Sequence, residues 1–332
     1  MKRLDRRLLL VCVFLIGTVS GMNAQGSDSP LRKDPNAAFR ILTWTTDGRS
    51  VFERSDDFRK VLRLADADIY LLNEIDGSRT ANDIGSTLRG LRNEADTRWN
   101  VVLGNGGGYQ KGSISSRYPV RPVPELNRII PYPSGDVERL KALVPEANWE
   151  RTKGNLDTGI AVAGGIVQIA KRSILAVTVD LQCCSGTPDW QDARRQIEVR
   201  EIRKALQAVL KTYRVDAVVL AGDFNLVSSG TPLAMATNPY PSPHFALAPV
   251  EAFHLDGTEN WTWDGRNTQF PSRPLDFKLY SPNSLEPIRA IVLSTEDLSA
   301  DVLSSTGLLP GTSRALSAHL PIVVDYKWRS RK

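Results

Sequence analysis

An apolar run that stops at two polar residues constrains this chain most. The segment from Ala217 to Asn225 has the sequence AVVLAGDFN, and a short apolar run next to glycine is typical of a strand buried on both faces. Residues two apart on a strand point the same way, so Asp223 and Asn225 should project together while Phe224 faces the core. An Asx-rich turn after a core strand is the alternative. These nine residues alone leave both interpretations open, a buried strand that carries polar chemistry at its end and a turn without a role.

Other predicted core strands also stop at an acidic side chain. These acidic residues are Glu74, Asp180 and Asp276, and His319 stands at the start of the last predicted strand. A sheet can bring such ends into one cleft, where carboxylate oxygens suit a Mg²⁺-like ion and a histidine can act as an acid or a base. Taken singly, each residue is better explained as a strand-end cap or as a core histidine with its hydrogen bonds satisfied. Only together do they indicate a site.

The remaining sequence predicts alternating strands and helices. Apolar residues at helical spacing indicate a long helix from Trp190 to Thr212. The segments from Gly159 to Ala170 and from Ile174 to Leu181 have the pattern of a β-hairpin that turns at Lys171 to Ser173. The segment from Arg121 to Asn155 contains five prolines and no regular pattern, so we expect a long loop that could cover a substrate groove. The segment from Gly104 to Gly108 lacks the Lys and Ser/Thr of a P-loop and is expected to be a turn.

The N-terminus has the pattern of a secretory signal peptide. Basic residues precede an almost wholly apolar run, Leu8 to Ile16, and small residues follow up to Ala24. An uncleaved membrane anchor is the alternative, but the apolar run is too short to span a bilayer comfortably. We therefore expect export to the periplasm or the medium, with no membrane anchor after cleavage. The predicted organisation is residues 1–24 as signal peptide, 25–38 as linker, 39–327 as one folded domain and 328–332 as a basic tail.

Charge and cysteine content argue against several kinds of site. The formal net charge is +5, of which the predicted signal peptide contributes +3; the remainder, about +2, gives no strong polyanion-binding surface. Beyond the signal peptide the cysteines are the adjacent Cys183 and Cys184. They could form a strained vicinal disulfide, but two half-buried thiols are expected. They make no zinc site, because the histidines at 244, 254 and 319 lie far away without ligand-like spacing.

Short motifs in a fixed order resemble those of the endonuclease/exonuclease/phosphatase superfamily, also called deoxyribonuclease-I-like. The matching segments are Leu42-Thr43-Trp44-Thr45, Leu72-Asn73-Glu74, Ser115 to Pro119, Gly222-Asp223-Phe224-Asn225, Leu275-Asp276-Phe277 and Ser317 to Pro321. The resemblance implies an α+β fold, a four-layer α/β/β/α sandwich with two mixed β-sheets packed face to face. It also implies hydrolysis of a phosphate ester with Mg²⁺, or with Mn²⁺ or Ca²⁺ in its place.

The resemblance implies a role for each matching polar residue. Glu74 matches the metal-binding glutamate. Asp223 matches the aspartate that orients or activates the attacking water, and Asn225 matches the amide that holds both the phosphate and that aspartate. His319 matches the histidine that binds the phosphoryl group and stabilises its developing charge. Asp276 matches the carboxylate that orients this histidine.

Three positions depart from the family pattern. Thr45 stands where the family usually has Asn, and Asp180 stands where it usually has His. Asp180 could be an additional metal or water ligand, or a solvated strand end. Ala318 stands where the family usually has an Asp just before the last histidine, and an alanine cannot replace a carboxylate at the metal or the nucleophile. Together these three residues favour a catalytically silent protein.

Arg117, two tryptophans and two histidines have competing interpretations. Arg117 could bind a substrate phosphate or stabilise the loop that carries Glu74, and the second interpretation is favoured. Trp261 and Trp263 could stack on a base or a lipid headgroup, but an aromatic pair in a strand is more often core. His244 and His254 are expected to have no functional role.

The first functional hypothesis is an exported, monomeric, metal-dependent phosphoric-ester hydrolase. It would act as a nuclease-like phosphodiesterase through metal-assisted in-line attack of water, and its partner would be a phosphate-ester substrate such as nucleic acid. The alternative within the hydrolases is a phospholipid or a small phosphomonoester as the substrate. The third hypothesis is a catalytically silent binding protein on the same fold.

Overall fold

A computed structural model describes residues 31–91, 98–238, 240 and 246–330 of the chain. The predicted signal peptide, the first part of the linker, His244 and the end of the basic tail lie outside these residues. No helix in the described part is long and apolar enough to cross a membrane.

Twelve strands in the described residues form two six-stranded sheets. In chain order they are β1 (Phe39–Thr45), β2 (Ile69–Asp76), β3 (Asn100–Leu103), β4 (Gln110–Ser116), β5 (Val120–Pro122), β6 (Ala161–Ile169), β7 (Arg172–Asp180), β8 (Ala217–Asp223), β9 (Ala248–Pro249), β10 (Asp276–Tyr280), β11 (Leu285–Val292) and β12 (Ile322–Trp328). The first sheet has the order β11-β12-β1-β2-β4-β3, and the second has the order β5-β6-β7-β8-β10-β9. Both sheets are mixed, because β1 and β2 run parallel in the first and β7 and β8 run parallel in the second.

Ten helices in the described residues cover the outer faces of these sheets. They are α1 (Ser50–Glu53), α2 (Ser55–Ala65), α3 (Ala81–Leu88), α4 (Pro124–Asn127), α5 (Ser134–Leu143), α6 (Glu146–Asp157), α7 (Trp190–Thr212), α8 (Thr231–Thr237), α9 (Ala300–Thr306) and α10 (Thr312–Leu316). Apolar side chains of α1, α2, α3, α9 and α10 pack on the first sheet, and those of α4 to α8 pack on the second. The result is an α/β/β/α sandwich, which confirms the predicted fold class.

Alternation along the strands builds the layer between the two sheets. On β1, Ile41 faces this inner layer while Trp44 faces the helices, because side chains on a strand alternate between its faces. On β8, Ala221 faces the inner layer and Leu220 faces the helices. Asp223 follows Ala221 on the inner row, so this row changes from apolar to polar at its last position.

Charged groups also lie deep inside the molecule, away from that polar end. Arg40 on β1 donates from Nε to Oδ1 of Asp325 on β12 at 2.6 Å, and from Nη2 to Oδ2 at 2.8 Å. Lys278 on β10 donates from Nζ to the carbonyl oxygens of Ile41 at 2.9 Å and Ile322 at 3.1 Å in the other sheet. Burial lowers the pKa of Lys278 well below its usual range. These contacts tie β1, β10 and β12 together.

The long helix and the hairpin are confirmed. Helix α7 has the predicted bounds, and β6 and β7 form the predicted hairpin, with its turn at Ala170 and Lys171. The turn begins one residue earlier than its predicted position, which is the usual uncertainty of element boundaries.

The segment from Arg121 to Asn155 is not the long loop that the sequence predicted. It contains the end of β5, all of α4 and α5, and most of α6, and Leu140 of α5 is buried in the core. Pro124 is the first residue of α4, and Pro133 and Pro145 immediately precede α5 and α6. A proline at a helix start loses no intrahelical hydrogen bond. The prolines therefore mark helix starts, and the irregular pattern does not indicate a loop.

Candidate active site

Strand register places three aspartates in one row at an end of the second sheet. Asp180 on β7 lies beside Asp223 on β8, and Asp276 on β10 lies on the other side of Asp223. In the first sheet, Thr45 on β1 lies beside Asn73 on β2. Because β2 packs on β7 and β1 packs on β8, these polar strand ends meet at one end of the inner layer.

Asp223 and Asn225 form a hydrogen-bonded unit. The backbone N–H of Asn225 donates to Oδ1 of Asp223, and its side-chain Nδ2 donates to Oδ2, both at 2.8 Å. Nδ2 also donates to the carbonyl oxygen of Leu181 at 2.8 Å. Asn225 has a φ of 49°, a left-handed conformation that asparagine adopts more readily than most residues. This turn brings the two polar side chains together and leaves Phe224 in the core.

His319 is held between two aspartates. Its Nδ1 donates to Oδ2 of Asp276 at 2.8 Å, and its Nε2 lies 3.8 Å from Oδ2 of Asp223. Asp276 also accepts hydrogen bonds from the hydroxyl groups of Thr45 at 2.6 Å and Thr262 at 2.7 Å. The two threonines therefore fix the carboxylate that fixes the imidazole ring.

The aspartates also determine the charge of this histidine. Burial acts to lower its pKa, but Asp276 and then Asp223 raise the pKa of His319 to about 10. Burial raises the pKa of Asp223 well above its usual range, with His319 acting in the opposite direction. The site thus places an imidazolium opposite a carboxylate that is more basic than an exposed one.

Glu74 and Asp180 add two more carboxylates to the same site. Glu74 accepts a hydrogen bond from Nε2 of Gln110 at 2.9 Å, and burial raises its pKa. Asp180 is buried, and its Oδ2 has no hydrogen-bond partner among the described residues. Burial, followed by the charges of Glu74 and Asp223, raises the pKa of Asp180 well above its usual range. Crowded carboxylate oxygens, one of them unsatisfied, fit a hard divalent cation that would relieve their repulsion.

A second combination of groups could also contact a cation. Asp223, Asp276 and His319 each offer one ligand atom, and these atoms lie within 4.8 Å of one another. However, both ring nitrogens of His319 and one oxygen of each aspartate already take part in the hydrogen bond and ion pair of the protonated histidine. A cation bound there would have to displace the proton, so the carboxylates of Glu74 and Asp180 fit a metal better.

A cleft with a volume of about 1210 Å³ is lined by Glu74, Asp180, Asp223, Asn225 and His319. Two aromatic side chains at its rim are exposed, Tyr109 by 86% and Phe270 by 56%. Tyr109 immediately precedes β4 of the first sheet, and Phe270 lies in the segment before β10 of the second sheet. Arg273 also lines the cleft. It donates to Oγ of Ser228 at 3.2 Å, and no described carboxylate forms an ion pair with it.

The departures from the family pattern all lie at this site. The hydroxyl of Thr45 takes part in it as a donor to Asp276. Asp180 is only 8% exposed, so the alternative of a solvated strand end is wrong. The methyl side chain of Ala318 offers no ligand atom to the site. Its carbonyl oxygen accepts a hydrogen bond from the backbone N–H of Asp264 at 2.8 Å.

Both interpretations of Arg117 were wrong. Its Nη1 donates to Oδ1 of Asp68 at 3.3 Å, just before the start of β2 and at the opposite end of that strand from Glu74. The tryptophans do not form a core pair either. Trp263 lines the cleft, whereas Trp261 packs on His254 with 4.2 Å between the ring centroids.

Thr262 and Arg273 were not singled out from the sequence. Thr262 lies between two tryptophans and contacts Asp276 from a different part of the chain. Arg273 precedes β10 in a proline-containing segment, and only the fold shows that it faces the cleft. A signal was available in the spacing of Arg273, which stands close before Asp276 on the way into a site strand.

Comparisons with known proteins agree with this architecture. A sequence model of the Endonuclease/Exonuclease/phosphatase family matches residues 23–299, and the comparison with curated protein sequences gives no match. The human Nocturnin catalytic domain with bound sulfate anion is similar with a TM-score of 0.55 and 15% identity, covering 88% of this chain and 93% of that chain.

Two solved structures with DNA are also similar. D. rerio TDP2 complexed with single strand DNA product has a TM-score of 0.52 and 16% identity, covering 87% of this chain and 98% of that chain. The 3′ phosphatase NExo from Neisseria bound to product DNA hairpin has a TM-score of 0.52 and 14% identity, covering 87% of this chain and 100% of that chain. At such low identities, the likeness establishes the shared fold.

Proposed function

Because the chain belongs to the endonuclease/exonuclease/phosphatase family, we propose that it is a metal-dependent phosphoric-ester hydrolase that cleaves phosphodiesters in a nuclease-like reaction. The observation that carries the proposal is the position of His319, which is bonded to Asp276 and lies 3.8 Å from Asp223 across the cleft. His319 can neutralise the charge of a phosphoryl group, and Asp223 can direct a water molecule towards it.

Asp223 is the group that orients and deprotonates the attacking water. A general base works best when its pKa lies near the operating pH, and burial raises the pKa of Asp223. Both carboxylate oxygens are fixed by Asn225. The two amide hydrogens of Asn225 bond to Asp223 and Leu181, so Asn225 acts first by positioning Asp223, and a contact with the phosphate would require it to exchange one of these bonds.

His319 binds the phosphoryl oxygens and stabilises the charge that develops on them. Its raised pKa keeps the ring protonated at neutral pH, so a positive charge is already in place before the reaction begins. Asp276, held by Thr45 and Thr262, fixes the orientation of the ring and favours the imidazolium.

Glu74 and Asp180 are the residues that would hold the divalent cation, with Mg²⁺ as the first candidate and Mn²⁺ or Ca²⁺ as alternatives. When bound, such an ion supplies polarisation of the P–O bonds. Asp180 has one oxygen without a hydrogen-bond partner, and the charges of Glu74 and Asp223 act on its carboxylate. Its carboxylate therefore compensates for the one that Ala318 lacks, which is why a hydrolase is a better proposal than a silent binding protein.

A nucleic-acid strand is the substrate that the rim of the cleft favours. Tyr109 and Phe270 offer flat aromatic faces for stacking on bases, and Arg273 offers a cation for a phosphate beside the reacting one. Two structures of similar fold hold a DNA product. The substrate would be met outside the cytoplasm, since we also propose that residues 1–24 direct export.

The test is hydrolysis of bis-p-nitrophenyl phosphate and plasmid DNA with Mg²⁺ or Mn²⁺. His319→Ala and Asp223→Asn are measured beside the wild type, and His254→Gln serves as a matched control because His254 is buried but bonds to Asp297 away from the cleft. We expect EDTA to abolish the activity, each site variant to lose about 10²- to 10⁴-fold, and the control to retain it.

Each other outcome has a definite meaning. Equal rates in the wild type and both site variants would show that the turnover does not arise at this site, and the proposal would fail. Hydrolysis of only a phospholipid or a phosphomonoester would keep the site and replace the substrate. If none of these substrates is hydrolysed with either ion, the protein is a silent binder on this fold.

A further inference from the structure

Cys183 and Cys184 lie on the wall of the same cleft. Both are free and exposed, both line the cleft, and their sulfur atoms lie 2.7 Å apart. They follow β7 directly, just beyond Asp180. The expected free thiols are confirmed, but the expectation that they are half-buried is wrong, so reagents in solution can reach them.

A buried arginine holds the loop that carries the two cysteines. Arg195 on α7 is fully buried. Its Nη1 donates to the carbonyl oxygens of Gln182 at 2.9 Å and Cys184 at 3.0 Å, and its Nη2 donates to that of Ser185 at 2.6 Å. Cys184 and Ser185 have φ angles of 66° and 50°, left-handed conformations that are strained in residues other than glycine. The arginine thus maintains a strained loop that presents both thiols together.

The two thiols differ in acidity. Their mutual hydrogen bond, opposed by burial and supported by Arg195, lowers the pKa of Cys184 to about 6. The same hydrogen bond, together with burial, raises the pKa of Cys183. The lower pKa makes Cys184 the thiolate of the pair near neutral pH. A thiolate that is accessible and next to a second thiol is a reactive nucleophile.

We propose that Cys183 and Cys184 form a modification site, at which a low-molecular-weight disulfide converts the two thiols reversibly into a disulfide between neighbours. Neighbouring Cα atoms are about 3.8 Å apart, which is shorter than the usual spacing across a disulfide. The bond therefore closes a strained ring. Strained and exposed disulfides are the ones that thiols reduce easily, so this bond differs from a permanent structural one.

The exchange takes two steps. The Cys184 thiolate attacks one sulfur of the reagent, which breaks the S–S bond of the reagent, forms a mixed disulfide and releases one thiolate. Cys183 then gives its proton to that thiolate or to water and attacks the Cys184 sulfur, which forms the new bond and releases the second thiolate. The two cysteines lose two electrons and the reagent gains two, so no other oxidant is needed.

Oxidised glutathione is the probe, and a tryptic peptide is the readout. The peptide from Ser173 to Arg194 contains both cysteines and no third one. The full-length protein is incubated with set ratios of oxidised to reduced glutathione, treated with iodoacetamide, digested and analysed by mass spectrometry. As the ratio rises, we expect a disulfide-containing peptide to replace the doubly alkylated one. This peptide carries no alkyl group and is lighter by two hydrogens than the reduced peptide. Excess dithiothreitol should restore the alkylated form.

Two comparisons, together with the alkylation state of the peptide, make the proposal falsifiable. Urea-unfolded protein should need a more oxidising buffer than folded protein, because Arg195 no longer holds the loop. Cys183→Ser should take up one glutathione several-fold faster than Cys184→Ser, because the first variant keeps the thiolate of Cys184. Equal oxidation midpoints for folded and unfolded protein, or faster uptake of glutathione by Cys183 than by Cys184, would overturn the proposed roles of Arg195 and Cys184. Two alkylated cysteines in the most oxidising buffer, or a bond between two molecules, would overturn the site itself.

This readout is independent of turnover. A failed hydrolysis assay would overturn the proposed function and leave the peptide masses unchanged. Conversely, an active enzyme whose peptide stays doubly alkylated would keep the proposed function and remove the modification site.

Discussion

His319 shows how neighbouring charges set the state of a single residue in this cleft. Two aspartates contact one imidazole ring, and Glu74 adds a more distant negative charge. Without the ring's positive charge, these carboxylates would repel one another in a buried space. The same group that we propose to bind the phosphoryl oxygens therefore also stabilises the fold around the site.

Replacing His319 by Gln should change how the free energy of unfolding depends on pH. The folded-state pKa of about 10 lies above the usual value of 6.5, so the contribution of the charged ring is fully present below pH 6.5 and is lost as the pH rises toward 10. Urea unfolding of the metal-free proteins across this range measures the difference. We expect the advantage of the wild type over His319→Gln to shrink with rising pH. A difference in the free energy of unfolding that does not change with pH would contradict a protonated His319.

Asp180→Asn should separate stability from metal binding. In the metal-free protein it removes a crowded buried carboxylate, and a gain of about 1 kcal/mol would raise Tm by about 2–4 °C. In Mn²⁺ or Mg²⁺, the Tm of the variant should rise less than that of the wild type, because the stabilisation by a bound ion increases with the affinity for that ion. Differential scanning fluorimetry with EDTA and with each ion gives both values. A variant that matches the wild type in all conditions would remove Asp180 from the metal site.

At the scale of strands, a buried ion pair fixes β1 against β12. Arg40 and Asp325 form two hydrogen bonds with almost no exposure to solvent. Asp325→Ala would leave the guanidinium buried without its charge partner, and such losses amount to about 3–5 kcal/mol. Chemical denaturation should show a loss of this size in the free energy of unfolding.

A double variant provides the matched control for this pair. Arg40→Met with Asp325→Leu removes both charges, so it should destabilise the protein less than Asp325→Ala alone. The pair lies far along β1 from Thr45 and the cleft, so each folded variant should keep the hydrolytic rate of the wild type. A double variant that is less stable than the single one would show that the pair has a net stabilising effect.

The sequence predicted elements whose pattern is local and missed those that depend on distant contacts. Apolar runs and helical spacing were sufficient for β8, the hairpin and α7. The helices α5 and α6 were missed because a proline before each start resembles a loop signal. At the site, Glu74, Asp223 and His319 were found because apolar runs of the sequence stop or start beside them, although β2 extends two residues beyond Glu74 and β12 begins three residues after His319. Thr262 was not, since its contact with Asp276 exists only after the chain has folded.

At the scale of the whole molecule, neither sheet contains the site by itself. The first sheet and the segment before β12 supply Glu74, Thr45 and His319, and the second supplies Asp180, Asp223 and Asp276. Two exposed aromatic residues also line the cleft, Tyr109 before β4 of the first sheet and Phe270 before β10 of the second. A long substrate would therefore contact both halves of the sandwich.

Tyr109→Ala and Phe270→Ala should impair DNA hydrolysis far more than hydrolysis of bis-p-nitrophenyl phosphate. Stacking contributes about 1–3 kcal/mol per base, so we expect KM for a single-stranded oligonucleotide to rise about tenfold in each variant. Phe253→Ala is the control, because Phe253 is 42% exposed but does not line the cleft. Equal losses of activity on DNA and on bis-p-nitrophenyl phosphate would mean that the aromatic residues stabilise the structure and do not bind the substrate.

The placement of Thr45, Asp180, Asp223 and Asp276 at the terminal positions of their strands has a consequence for heating. Strand ends fray with a smaller free energy than strand centres, which open only with the whole domain. A rise in temperature would loosen the geometry of the cleft while the apolar inner layer stays intact. Activity should therefore fade reversibly over a range in which circular dichroism still reports a folded sandwich, and cooling should bring it back.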